Sequence, residues 1–244
     1  TAAATWTVHD VAAHLLDTDM RRLSFQRDRS PSLKPETPIK SYADLVAFIN
    51  QINGDWVKVA QRISPALMID LHALVGPQVH QYFKTLDPYA ASRGAVSWAG
   101  DDIAPIWFDL AREYTEKWHH QMHIREAVGA PGLTSRRWLQ PVLDTFVRAL
   151  PHTYRDVTAP DGTQVTLDIT GEAGDAWTLV REGSAWRLYL GQGDTVAARV
   201  RMNQDTAWHL FTKGLAPADA RARAQISGDA ALGERLLSVV SIIA

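Results

Sequence analysis

The chain has 244 residues, 46% of them hydrophobic and 21% charged, and a formal net charge of −2. This is a globular composition, long enough for one large or two ordinary domains, with no basic excess to suggest binding to nucleic acid or to an acidic membrane surface. It contains no cysteine, which excludes disulfides, cysteine nucleophiles and cysteine metal ligands; with no apolar run of membrane-spanning length and no leader sequence, a cytoplasmic protein is expected.

Thr7 followed by Asp10 has the form of a capping box, so a helix is predicted from Val8. Val8, Val11, Ala12, Leu15 and Leu16 make its buried face, His14 lies beside that face, and Thr18 and Arg21 follow one and two turns on. Taken alone, His14 reads as a hydrogen-bonded core residue or as a ligand. Asp10, Asp17, Asp19 and Arg21 are candidates for orienting its imidazole or a substrate, although Asp17 and Asp19 read as exposed helix charges. The proline-rich segment SPSLKPETPIK is a connector. Ser41 and Asp44 repeat the capping pattern ahead of a helix over Tyr42 to Ile63. Ser64-Pro65 starts another that runs to about Leu86, with Leu67, Met68, Leu71, Leu74 and Val75 as its apolar face and a kink or division at Gly76-Pro77. Residues 87–102, which include SRGAVSWAG, form a candidate lid or substrate loop.

The next helix, from about Ala104 to Val128, carries YTEKWHHQMHIREAVG. At roughly 100° per residue, Glu116 and His120 stand about 40° apart, His123 shares their face and His119 lies at its fringe. A carboxylate and an imidazole at i,i+4 can grip one metal ion; the competing reading is a solvated, histidine-rich surface turn. Ile106, Leu110, Ile124 and Val128 adjoin this face, which predicts that the polar groups point inward. One more helix follows over Ser135 to Leu150, with Trp138, Val142, Phe146 and Leu150 apolar and Pro141 perturbing its first turns. The first 152 residues therefore read as a helical bundle.

The pattern then changes to period two. Strands are predicted over Thr163–Thr170, Trp177–Val180, Trp186–Leu190 and Thr195–Met202, with Glu182-Gly183-Ser184 as a hairpin signal. Helices follow over Asp205–Lys213, stopped by Gly214, and over Pro217–Arg223. Ala224–Ile226 is a possible fifth strand, and Ala230–Ile243 a closing helix. The expected class is thus α plus α+β, with a helical domain over 1–152 and an α+β domain over 160–244. Trp177, Trp186, Leu188 and Leu190 line either an apolar tunnel or an ordinary sheet core. Arg181, Arg199 and Arg201 lie on strands and are candidates to meet a carboxylate.

WTVHDVAAHLLDTDMRRLS together with EYTEKWHHQMHIREAVG resembles the mycothiol-dependent maleylpyruvate isomerase family of the DinB-like superfamily. GEAGDAWTLVREGSAWRLYLG and ISGDAALGERLLSVVSII resemble the sterol-carrier-like domain that often follows, so the resemblance spans nearly the whole chain. It implies an N-terminal DinB-like four-helix bundle and a C-terminal sterol-carrier-like α+β domain. It also implies a divalent metal, usually zinc, held by His14, Glu116 and His120. The family has a helix ahead of the first motif, whereas this sequence begins just before it. The family also tends to have an aspartate where this chain has His123.

Two imidazoles and a carboxylate leave a tetrahedral ion one open position, which is the arrangement of a catalytic site. Such an ion acidifies a bound water or thiol. With no cysteine in the chain, the thiol has to come from a cofactor, and the resemblance implies a mycothiol-like cosubstrate. The expected activity is isomerisation or S-transfer on a small electrophilic, carboxylate-bearing molecule, with His123 and Arg21 as candidate catalytic residues. The alternative is a lipid- or small-ligand-binding protein with a structural or vestigial metal. Neither nucleic acid nor membrane is an expected partner, and the sequence does not set an oligomeric state.

Overall fold

The computed structural model describes residues 1–3, 5–92, 97–100 and 103–242. It divides into two compact units, one formed by Thr1–Ala90 with Glu116–Gly132 and the other by Ala91–Thr115 with Leu133–Ile243. The class is α plus α+β. Among the described residues no helix is long and apolar enough to cross a membrane.

The first unit holds α1 (Val8–Arg21), α2 (Tyr42–Ala60), α3 (Pro65–Lys84) and the second half of α4 (Ile106–Ala127). Both predicted capping boxes form: Thr7 with Asp10, and Ser41 with Asp44, each satisfy backbone donors that the first helical turn leaves open. Ser64 caps α3 by accepting from the Leu67 amide, with Pro65 where no amide is needed. A π-helical turn, Arg22–Arg27, continues α1. Ala13, Leu16, Leu23, Ala60, Met68, Val75 and Val79 form the core, with Trp56, Leu71, Tyr82 and Phe83 packed on it. Three polar rings clamp the helices across that core. Trp56 Nε1 donates to the Ala13 carbonyl at 2.8 Å, His72 Nε2 lies 2.9 Å from the Ala12 carbonyl, and His9 Nε2 lies 2.9 Å from that of Ile63.

Two expectations for α3 change. The helix runs through Pro77 undivided; the carbonyl four residues back, which Pro77 cannot bond, belongs to Ala73 on the exposed side. Its buried line is Met68, Val75 and Val79, whereas Leu67 and Leu74 are 48% and 63% exposed. Val128, expected in the α4 stripe, is 61% exposed; Phe108, Trp118 and Met122 are the buried apolar residues of that helix.

The second unit is built on a five-stranded mixed sheet in the order β3-β2-β1-β4-β5, where β1 is Gln164–Thr170, β2 Ala176–Glu182, β3 Ala185–Leu190, β4 Ala198–Asn203 and β5 Gln225–Gly228. β1 and β4 are parallel and every other pairing is antiparallel. The register sets Leu167 between Trp177 and Val200, so period-two alternation puts the large apolar residues on one face. That face packs against α6 (Leu150–Thr153), α7 (Gln204–Phe211) and α9 (Ala230–Leu236). α5 (Arg136–Phe146) packs on α7, with the Phe146 and Phe211 rings 6.1 Å apart, and α8 is Pro217–Arg223.

Trp177 and Trp186 are 1% and 5% exposed, and their indole N–H groups donate to Asp144 at 3.1 Å and to the Val157 carbonyl at 3.0 Å. They fill the sheet core, while Leu190 is 69% exposed. The predicted hairpin forms, with Glu182 paired to Ala185 around Gly183 at φ 57°. Four details differ. β4 begins at Ala198; α7 is ended by Lys213, itself left-handed at φ 60°; α9 stops at Leu236; and Trp138 is 38% exposed with Arg137 stacked 4.7 Å above it. Residues 93–96 and 101–102 of the candidate lid, and residue 243 of the predicted closing helix, lie outside the described residues.

Gly228 sits at φ 79°, and a Cβ there would stand 2.2 Å from the Ala197 carbonyl oxygen. Gly183 is also left-handed but has open space around it. Gly228→Ala is therefore expected to cost about 3 kcal/mol in urea unfolding and Gly183→Ala only about 1 kcal/mol. Equal losses would mean that backbone conformation alone, and not the close approach, constrains Gly228.

Candidate metal centre

His14 on α1 and Glu116 and His120 on α4 meet in the first unit. His14 Nε2 is 2.9 Å from Glu116 Oε1, and His120 Nε2 is 3.1 Å from the same oxygen. Among the described residues these three form a group that could hold a metal ion, with their donor atoms within 4.8 Å of one another. Ligand atoms about 2.0–2.1 Å from a tetrahedral zinc stand about 3.3 Å apart, close to the spacing seen. Two borderline nitrogens and one oxygen also suit such an ion chemically.

The two imidazoles are buried, 5% and 9% exposed, whereas the Glu116 side chain is 37% exposed. Burial pushes the Glu116 carboxyl up, but the hydrogen bonds from His120 and His14 outweigh it and hold the group well below the usual carboxylate range. An ionised carboxylate has no proton to give, so both Nε2 atoms donate to it; an ion taking their place displaces those protons. The Nδ1 atoms of His14 and His120 are buried and have no hydrogen-bond partner among the described residues. The rings are held by aromatic packing instead. They meet edge to face at 4.9 Å, and Trp6 lies 5.1 Å from His14 and 6.5 Å from His120.

Asp19 and Lys117 form an ion pair between α1 and α4 one residue beyond Glu116, and Asp19 is 5% exposed. Asp17 is not an exposed helix charge either. Its side chain is 13% exposed and pairs with Arg21 Nε at 2.9 Å, and burial raises its carboxyl against the opposing pull of Arg21 and His14. Asp10 is occupied in the capping box. Arg21 also donates to Asn53 at 3.1 Å; it lies two turns, about 10 Å of helix rise, beyond His14. His119 and His123 are 8% and 7% exposed, with ring centres 4.2 Å apart, and the His123 ring is 5.3 Å from that of His120. The histidine-rich stretch is therefore interior and not a solvated turn.

Trp6 and Lys117 were not singled out by sequence reasoning. Trp6 stands in the first motif, but only the contact between its ring and the imidazoles gives it a place at the site. The Asp19–Lys117 pair joins positions 98 residues apart, a separation that helical spacing cannot register.

No family model matches the chain, and no curated protein matches its sequence. Among solved structures, a mutant of a mycothiol-dependent maleylpyruvate isomerase is similar over 84% of this chain and 73% of its own, at 12% identity and a TM-score of 0.45. Sterol Carrier Protein 2 Like 2 from Aedes aegypti is similar over 40% of this chain and 95% of its own, at 17% identity and a TM-score of 0.31. A UbiJ-SCP2 ubiquinone synthesis protein is similar over 45% of this chain and 95% of its own, at 13% identity and a TM-score of 0.30. At such identities and scores the chemistry has to be read from the side chains themselves.

Removing Asp19 leaves the Lys117 ammonium without its helix-to-helix partner. Asp19→Ala is expected to cost about 2 kcal/mol in urea unfolding and to weaken zinc binding by loosening α1 against α4. Asp28→Ala, at the exposed Arg27–Asp28 pair, is expected to change neither quantity measurably. Unchanged zinc affinity in Asp19→Ala would show that the ion pair does not position the trio.

Proposed function

We propose that the protein is an enzyme in which His14, Glu116 and His120 hold a divalent metal ion, zinc in the first instance. In this reading it uses a low-molecular-weight thiol of the mycothiol type for isomerisation of, or S-transfer to, a small electrophilic, carboxylate-bearing substrate. The observation that carries the reading is the convergence of two buried imidazole nitrogens on one carboxylate that solvent still reaches. A structural zinc is closed by four protein ligands, while a catalytic one keeps a position for water or substrate. Three donors with an exposed edge suit the second case. The likeness of the two helical motifs to the maleylpyruvate isomerases adds independent support.

When bound, the ion supplies a lowered pKa to a thiol or water beside it. The chain's own residues do the rest. His14 and Glu116 fix α1 against α4, and the Asp19–Lys117 pair holds that register. Trp6 covers the imidazoles and keeps water from their faces. His123, one turn beyond His120 and buried, is assigned the proton-handling role: it takes the thiol proton or returns one to the substrate carbon. Arg21 would have to leave Asp17 and Asn53 to reach a substrate, and no step is assigned to it. Because the chain has no cysteine, the sulfur must arrive with the cosubstrate.

Alanine at His14, Glu116 or His120 is expected to lower zinc affinity by at least about 100-fold, measured by metal analysis after dialysis, with the far-ultraviolet helical signal retained. Full zinc in Glu116→Ala would sink this ligand set. Cobalt-substituted protein should change its visible spectrum when thiol is added; a silent spectrum would favour a structural metal in a ligand-binding protein.

His123→Ala separates two roles. It is expected to keep zinc affinity within a few-fold of the parent and to lose about 100-fold or more of any thiol-dependent turnover. A loss of zinc matching that of His120→Ala would make His123 a ligand and the site closed.

A further inference from the structure

The sheet of the second unit ends at β3, beyond which no strand lies among the described residues. β3 pairs with β2 around the Gly183-Ser184 turn, with Glu182 opposite Ala185, Val180 opposite Arg187 and Thr178 opposite Tyr189. In an antiparallel pair, residues that exchange backbone bonds alternate with residues that do not. The Gly191 amide donates to the Ala176 carbonyl at 2.7 Å, while Arg181 turns its amide and carbonyl to Thr163 and Gly162, on the way into β1. Both bonds fix the phase: Ala185, Arg187 and Tyr189 bond to β2, and Trp186, Leu188 and Leu190 turn their backbone groups outward. Those three make no backbone hydrogen bond among the described residues. Ala185, Arg187, Tyr189 and Leu190 are exposed, Tyr189 and Leu190 by 46% and 69%. β3 has no proline and no bulge, and the charge of Arg187 is matched by Glu182 at 2.8 Å. Such an edge is a template for another strand.

A second copy of β3 fits this edge in one register. Two copies related by a two-fold axis normal to the sheet pair antiparallel about a residue that faces itself, and that residue must be one of the outward-turned set for the bonds to form. Centring on Leu188 sets Leu188 opposite the partner's Leu188 and Trp186 opposite the partner's Leu190, with two backbone bonds at each bonded pair. On the core side this covers the exposed Leu190. On the outer face it sets Arg187 against the partner's Tyr189, a cation against an aromatic ring. Glu182 balances that face within each copy, accepting from the Tyr189 hydroxyl and pairing with Arg187. No like charges stand opposite one another. Centring on Arg187 would face two guanidinium groups and offer backbone groups that β2 already uses. Centring on Trp186 or Leu190 would run the pairing into the Gly183-Ser184 turn or past the end of the strand.

We propose that β3 is a self-association edge, at which two copies of this chain pair antiparallel about Leu188 and join their sheets into one. The inference does not rest on the metal centre. Sedimentation equilibrium of the full chain tests it, with a dimer expected at a dissociation constant of about 100 µM or below. Tyr189→Arg sets a guanidinium opposite the partner's Arg187, and Leu190→Lys sets an ammonium against the partner's Trp186. Each is expected to raise the dissociation constant at least about 100-fold. Both positions are exposed, so the thermal midpoint of dilute protein should move by no more than about 2 °C. Arg187→Glu added to Tyr189→Arg places opposite charges across the axis and is expected to recover the dimer. Wild-type protein that stays monomeric up to about 1 mM, or a dimer that neither single substitution weakens, overturns the proposal. A dimer weakened by Tyr189→Arg and not recovered in the double variant overturns the Leu188 register. Amide exchange decides without any variant: the Leu188 and Leu190 N–H groups should exchange more slowly as wild-type concentration rises, and rates independent of concentration refute the pairing.

Discussion

One oxygen of Glu116 receives two imidazole N–H groups from residues that burial would otherwise disfavour. Polar rings inside a helical unit are tolerated only when their hydrogen-bonding groups are met, and a carboxylate is tolerated there only when cations or donors surround it. His14 and His120 meet the second condition for Glu116, and Glu116 meets the first at the Nε2 of each ring, leaving each Nδ1 to aromatic packing. Removing any of the three leaves the others in an environment that no longer suits them. The mutual dependence also fixes α1 against α4, because His14 reaches Glu116 across a separation of 102 residues. The Asp19–Lys117 pair repeats the crossing farther along, so two polar links hold what the apolar core of Ala13, Leu16, Met68 and Val75 does not touch.

What the sequence made legible was mostly local. Thr7 with Asp10, Ser41 with Asp44, and Ser64-Pro65 each announce a helix start through hydrogen bonds spanning three residues, and all three starts are where the spacing put them. Glu116 and His120 share a helix turn, so their common face also followed from geometry. His14 did not; its place came from the likeness of a motif. The errors are those of tertiary choice. Leu74 and Met68 lie on one helix and are both apolar, yet only Met68 finds the core, because which side of an apolar helix is covered depends on neighbours far away in sequence. Asp19 looked like a solvated charge because its partner, Lys117, shows itself only once the helices are packed; Asp17 has its partner Arg21 at i+4 on the same helix, and what spacing could not register is its burial.

In the strand-rich half the same division holds for a different reason. Alternation fixed which residues face the core, since a one-residue slip would turn Leu167, Trp177 and Val200 outward together. The order of strands was not readable. β4 lies parallel to β1, so the chain after β3 must pass β2 and β1 before pairing, and nothing in the periodicity of 191–197 records that crossing. Its trace is tertiary: the Thr178 hydroxyl donates to the Gly191 carbonyl at 2.9 Å, and Gly193 approaches the Gln164 side chain so closely that a Cβ would stand 2.1 Å from Oε1.

Comparing buried polar groups shows where the fold is self-sufficient. Thr166 and Thr178, 0% and 3% exposed, bond to each other at 2.8 Å, and Thr178 gives its own proton to the Gly191 carbonyl. Asp144 accepts from Trp177 at 3.1 Å and from Arg148 at 3.0 Å, so its charge is matched inside the protein. Glu116 is matched by two rings, and those same ring nitrogens are the atoms a metal ion would use, so a single arrangement satisfies the protein without the ion and presents a ligand set to it.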